Sequence, residues 1–299
     1  APGDAPHHPR RLRPRSGMRA LREARVETAR ITLQTACAGT GDPLLLVSGT
    51  GADLRARPGP LDGPLPERFA VWSLDQRGQG RSDVPPGPYT MADYADDLAA
   101  LHDTLGLPPV PVVAISFGGM VAQHFALRHP QKVRKLVLCC TSSGGAGGAS
   151  YPLHELEKLA PAARFAAKVA VTDLRHDAAW QVRQGERLTP AWEDLQWRNA
   201  RRVSNAALIR GSALQLAARR DHDCYDALPG LTMPTLLCAG RFDGIAPLAN
   251  MEALAAAMPQ ATLQVFEGGH LFLREDRAAW PAILQWLTED TPGPQRSDS

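Results

Sequence analysis

The chain has 299 residues, 44% of them apolar and 21% charged, with a formal net charge of +2. That length supplies a large core, and the near-neutral balance gives no case for a nucleic-acid partner. The five cysteines (Cys37, Cys139, Cys140, Cys224 and Cys238) are odd in number and irregularly spaced, which argues against a disulfide scaffold and for a reducing, cytoplasmic setting.

Residues 1–17 are rich in Pro, Arg and His and lack the apolar stretch of a secretory signal. They read as a disordered basic extension ahead of a start at Met18. No run reaches the roughly 18 apolar residues of a membrane span. "VETARITLQTACAG" (26–39) predicts an early strand or hairpin, and "PLLLVSGTG" (43–51) a short buried strand running into a glycine-rich loop. "FAVWSLDQRGQGRSD" (69–83) repeats that pattern. "YTMADYADDLAALHDTLG" (89–106) predicts a helix, with Thr90 as N-cap, Asp93 three residues on and Gly106 at the end.

In "VVAISFGGMVAQHFALRHP" (112–130) a β-branched apolar run becomes a helical pattern, with Ser116 at the junction. "KVRKLVLCC" (132–140) predicts the next strand, and "SSGGAGGAS" (142–150) a flexible connection. Residues 151 to about 228 read as helices, with Trp180, Trp192 and Trp197 among them. Strand rhythm returns at "MPTLLCAGRFDGIAP" (233–247), followed by the helix "ANMEALAAAMP", the strand and loop "ATLQVFEGGH" (261–270) and the closing helix "AAWPAILQWL". Short buried strands alternating with helices imply an α/β fold with a mostly parallel, doubly wound sheet. The expected organisation is a core of residues 18–142 and 230–288, a helical cap at 143–229 inserted after the sixth strand, and a flexible tail at 289–299.

Ligands bind such sheets at the carboxyl edge, and three residues fall there. A strand–Ser–helix turn among small residues exposes Ser116 at a helix N-terminus; the plainer alternative is a serine N-cap. Asp243 follows one later strand and His270 the last. The order Ser, Asp, His suits a nucleophile, an orienting acid and a general base. The backbone N–H groups of Phe117 and Thr50 are the expected oxyanion donors.

Together "LLLVSGTGAD", "DQRGQGRSD", "AISFGGMVAQHFALRHPQKVRKLVL", "PTLLCAGRFDGIAP" and "FEGGHLFLREDRAAWPAILQWL" resemble the α/β-hydrolase fold superfamily. Within it the chain is similar to capped bacterial serine hydrolases such as enol-lactone hydrolases and esterases. The resemblance implies hydrolysis of a small carboxylic ester or lactone, with no cofactor and a small-molecule partner only. It leaves C–C bond hydrolysis and cofactor-free lyase or perhydrolase chemistry open, as well as a ligand-binding role without turnover. Two positions depart from the pattern: Ser48-Gly49 replaces the usual His-Gly, and Ala114 replaces the first glycine of G-x-S-x-G. Ser116 excludes the branch of the superfamily that uses an aspartate nucleophile. Asp75 and Arg77 are expected to fix their loop. The three tryptophans either line an apolar pocket or pack the lid onto the core. The cluster Asp221, His222, Asp223, Cys224 and Asp226 reads as a solvated lid segment, so no metal site is expected.

Overall fold

The computed structural model describes residues 21–289 except Arg57. The expected basic extension and nearly all of the expected tail lie outside these residues. Eight strands form one sheet: β1 (Arg22–Glu27), β2 (Thr32–Ala38), β3 (Pro43–Val47), β4 (Ala70–Leu74), β5 (Val110–Ile115), β6 (Val133–Cys139), β7 (Thr235–Gly240) and β8 (Ala261–Phe266). Their spatial order is β1-β2-β4-β3-β5-β6-β7-β8. β2 runs antiparallel to both β1 and β4, and the other pairings are parallel.

The central strands read as unbroken apolar runs because both faces of the sheet are covered. Leu45, Val112, Leu136 and Leu237 face one apolar cluster, which takes in α1 (Met91–Thr104), α2 (Phe117–Arg128) and, after the insertion described below, the helix Leu248–Ala257. Leu44, Val113, Val137 and Leu236, one residue out of phase, face the other cluster with the closing helix Ala279–Thr288. This alternation is the two-residue period of a pleated strand. The capping box at the start of α1 is present: Thr90 Oγ1 accepts from Asp93 N–H while the Asp93 carboxylate accepts from Thr90 N–H.

The first hairpin begins earlier than its apolar pattern suggests. β1 starts at Arg22 and is mostly exposed. It is a charged edge strand held by its ladder to β2, so burial leaves little trace in its sequence.

Between β6 and β7 come only helices: α3 (Leu153–Leu156), α4 (Pro161–Thr172), α5 (Ala178–Gln184), α6 (Thr189–Val203) and α7 (Ala206–Arg220), besides short 3-10 turns. After β7 follow α8 (Leu248–Ala257), β8, α9 (Phe272–Glu275) and α10 (Ala279–Thr288). Among the described residues no helix is long and apolar enough to cross a membrane. Ser116 leaves β5, Asp243 follows β7 and His270 follows β8. The parallel ladders through β5, β6, β7 and β8 therefore carry all three to one edge of the sheet.

Candidate active site

Ser116 occupies a sharp turn. Its φ of 57° and ψ of −120° are a conformation that a non-glycine residue adopts only under strain. The surroundings hold it there: Ser116 N–H donates to Cys139 C=O (2.8 Å) and Thr141 Oγ1 donates to Ser116 C=O (2.8 Å). The small residue after Phe117 is a steric requirement. A Cβ on Gly118 would stand 2.2 Å from Val47 O. Ala114 is fully buried in β5 and contributes to the apolar cluster beneath α2, so its methyl group is accommodated.

The side chains form a continuous relay. His270 Nε2 lies 3.0 Å from Ser116 Oγ, and His270 Nδ1 lies 2.8 Å from Asp243 Oδ2. A carboxylate only accepts, so the Nδ1 proton points to Asp243 and Nε2 offers its lone pair to the serine hydroxyl. The other Asp243 oxygen accepts from the N–H groups of Ile245 (2.7 Å) and Ala246 (2.9 Å), which locks the carboxylate in a fully buried position. Ser116 itself remains 8% exposed.

Both partner loops are braced by the insertion. The C-terminal carbonyls of α4, which find no N–H donors within their helix, accept from the N–H of His270 (Thr172 C=O, 2.6 Å) and of Gly244 (Val171 C=O, 3.1 Å). Gly269 permits this approach, since a Cβ there would sit 2.2 Å from Thr172 O.

The loop after β3 lies against the turn: a Cβ on Gly49 would be 3.2 Å from the Ser116 Cβ. Two glutamines hold it. Gln76 Nε2 donates to Ser48 C=O (2.7 Å), and Gly51 N–H donates to Oε1 of Gln215 on α7 (2.8 Å). Phe117 N–H is at the first position of α2, where no helical partner exists.

Asp75 and Arg77 fix their loop, as expected. Asp75 accepts from Leu54 N–H (2.6 Å) and Arg81 N–H (2.9 Å). Burial nevertheless pushes its carboxyl up to about 6. Arg77 makes a buried two-point ion pair with Asp97 (2.6 and 2.7 Å).

One sequence expectation needs correction, and one of two alternatives for the tryptophans falls away. His222 and Cys224 are buried, so their segment is not a solvated stretch of lid. His222 meets His124 of α2, and Cys224 Sγ donates to Gln123 Oε1 (3.2 Å). The three tryptophans do not join the core, and neither apolar cluster includes them. Their described ring partners are Phe165 for Trp192, His176 for Trp180 and Arg201 for Trp197, all within the insertion. Sequence analysis also missed Gln215, Thr141 and the Thr172 carbonyl. Gln215 lies between Leu214 and Leu216 of α7, with no local signal to set it apart; Thr141 stands two residues past the end of β6.

The family model described as the alpha/beta hydrolase fold matches residues 42–276. A poly(3-hydroxyalkanoate) depolymerase from Ectopseudomonas oleovorans is 31% identical over 83% of this chain and 85% of its own. The 3-oxoadipate enol-lactonase 2 of Acinetobacter baylyi is 25% identical over 69% of this chain and 73% of its own. A crystal structure of the enol-lactonase from Burkholderia xenovorans LB400 superposes with a TM-score of 0.72 at 22% identity, covering 89% of this chain and all of that one, a likeness of fold.

Proposed function

The chain belongs to the alpha/beta hydrolase fold family, and on that premise we propose that it is a serine hydrolase that cleaves a small carboxylic ester or lactone. The hydrogen-bonded relay Asp243–His270–Ser116 carries this proposal. His270 Nε2 takes the hydroxyl proton as Ser116 Oγ attacks the carbonyl carbon. Asp243 holds the ring's tautomer and stabilises the imidazolium that forms. The N–H groups of Phe117 and Thr50 receive the oxyanion, each worth about 2.7–4 kcal/mol of transition-state stabilisation. His270 then protonates the departing alkoxide, leaving an acyl group on Ser116. Water, deprotonated by the same imidazole, releases the acid and restores the hydroxyl. A lactone differs only in that alcohol and acid leave as one molecule.

The insertion acts as the cap in this proposal, since it bears on all three loops of the site through Gln215, Val171 and Thr172. The named activities of the depolymerase and the enol-lactonase both concern ester linkages, which favours an oxygen ester as the scissile bond. The five cysteines, all free and buried, suit a cytoplasmic enzyme.

The test is turnover of a panel of short-chain p-nitrophenyl esters, lactones and 3-hydroxyalkanoate oligoesters by the wild type and by Ser116→Ala. The variant should lose at least about 10³-fold in kcat while keeping its unfolding temperature. A fluorophosphonate should label the wild type and not the variant. Undiminished turnover by Ser116→Ala would refute the assignment.

A further inference from the structure

We propose that His124, His222 and Cys224 form a binding site for a zinc-type divalent cation that clasps both connections of the insertion to α2. The chain enters the insertion through Ser142 and Ser143 and leaves it through His222 to Cys224. These two stretches meet where Cys224 N–H donates to Ser143 C=O (2.9 Å). His124 reaches them from α2.

The donor geometry suits a tetrahedral ion. His124 Nε2 and His222 Nδ1 are 3.2 Å apart; two nitrogens bound to one zinc at about 2.0–2.1 Å stand about 3.3 Å apart. The Cys224 sulfur and one nitrogen of each ring all lie within 4.8 Å of one another. An outer partner is already in place. His222 Nε2–H donates to Ser142 C=O (3.0 Å), so Nδ1 presents its lone pair, the arrangement that orients metal-bound imidazoles. With no cation bound, His124 Nε2–H donates into that lone pair. Binding exchanges this proton for the ion as His124 moves its proton to Nδ1.

The donor types set the class of ion. Two imidazoles and a thiolate favour zinc and its neighbours over magnesium or calcium, with solvent as the fourth ligand. Burial disfavours the charged imidazolium at His222 and at His124. Burial pushes the Cys224 thiol up to about 12. Coordination must therefore displace its proton, and one proton leaves per ion bound. Affinity then falls on acidification. Asp223 faces the site with negative charge, and Arg128 and Arg219 with positive charge.

The proposal is independent of ester hydrolysis. Chelator-treated full-length protein is titrated with Co²⁺, and with Zn²⁺ in competition. The expected result is one equivalent bound more tightly than about 10 µM, with four-coordinate visible bands and a thiolate-to-cobalt charge-transfer band. Zn²⁺ should raise the unfolding temperature by about 5 °C. The near-isosteric Cys224→Ser should lose the charge-transfer band, and His124→Ala should weaken binding at least about 10-fold. His270→Ala should keep both, because the other close grouping of ligand atoms, Cys140, Asp243 and His270, belongs to the candidate active site. Binding weaker than about 10 µM, a charge-transfer band that survives in Cys224→Ser, or its loss in His270→Ala would overturn the proposal.

Discussion

Every residue of β7 is buried, whereas α4, α5 and α6 do not bury a single one. The two regions are held by different forces. The sheet is stabilised by apolar area taken out of water on both faces. The insertion leaves Leu159, Leu174, Val182, Val203 and Ile209 exposed. It is tied together by ion pairs such as Glu157 with Arg164 and Arg202, each worth about 0–1 kcal/mol at the surface. It meets the core through apolar groups of α7 and the segment after it, Leu214, Ala218 and Cys224, and at polar points that include the last carbonyls of α4, Gln215, and Arg210 donating to Val84 C=O (3.2 Å). Substitutions in the core should therefore act mainly on stability. At the insertion's contact points they should act on the geometry of the site.

Four substitutions test this contrast, and the first is the most severe. Gly118→Ala forces a methyl group onto the Val47 carbonyl. It should cost about 4 kcal/mol or more of folding free energy, read by urea denaturation. A stable Gly118→Ala protein would show that the β3–α2 approach is not rigid. The second concerns the charge buried at Asp75. Its folded pKa of about 6 lies above the ordinary 3.8, so the native state holds the proton more tightly. The stability this confers is fully present below about pH 4 and lost as pH rises through 6. The stability of the wild type relative to Asp75→Asn should therefore fall by about 2 kcal/mol between pH 4 and pH 7, and a flat difference would contradict the assignment.

The third moves to the insertion. Gln215→Met keeps the volume but removes the acceptor for Gly51 N–H. It should lower kcat about tenfold, the worth of one hydrogen bond, with a smaller change in unfolding temperature. A kcat unchanged from the wild type would mean that the loop holds its shape without the insertion. The smallest effect is expected at Val182, which is 81% exposed. Val182→Ala should stay within about 0.5 kcal/mol, and a larger loss would reveal a partner packed on this face of α5.

Much of the core was legible because its signals are local. The two-residue and 3.6-residue periods, the Thr90–Asp93 capping box and the glycines after Ser116 each depend on neighbours within a few positions. The same holds for Ser116, Asp243 and His270, since each directly follows a strand and parallel strands end at one edge. Other features left no such trace. β1 has a charged sequence and takes its conformation from its partner. Trp180, Trp192 and Trp197 suited both a pocket and packing of the lid onto the core, and they have their described partners inside the insertion. The polar neighbours of His222 and Cys224 suggested solvent, although both side chains are buried.

The order of residues alone fixes the strands from β2 onward and most helices, the α/β class, and the sheet edge at which the three candidate catalytic side chains emerge. Tertiary structure alone decided that Gln215 steadies a loop 164 positions away in the chain. It also decided that the end of α4 braces the loops of Asp243 and His270, and that His124 comes to face His222 and Cys224. The physical reason is range: periodicity and turn chemistry are written in adjacent residues, whereas a hydrogen bond or a shared ion between distant segments exists only once the chain has folded.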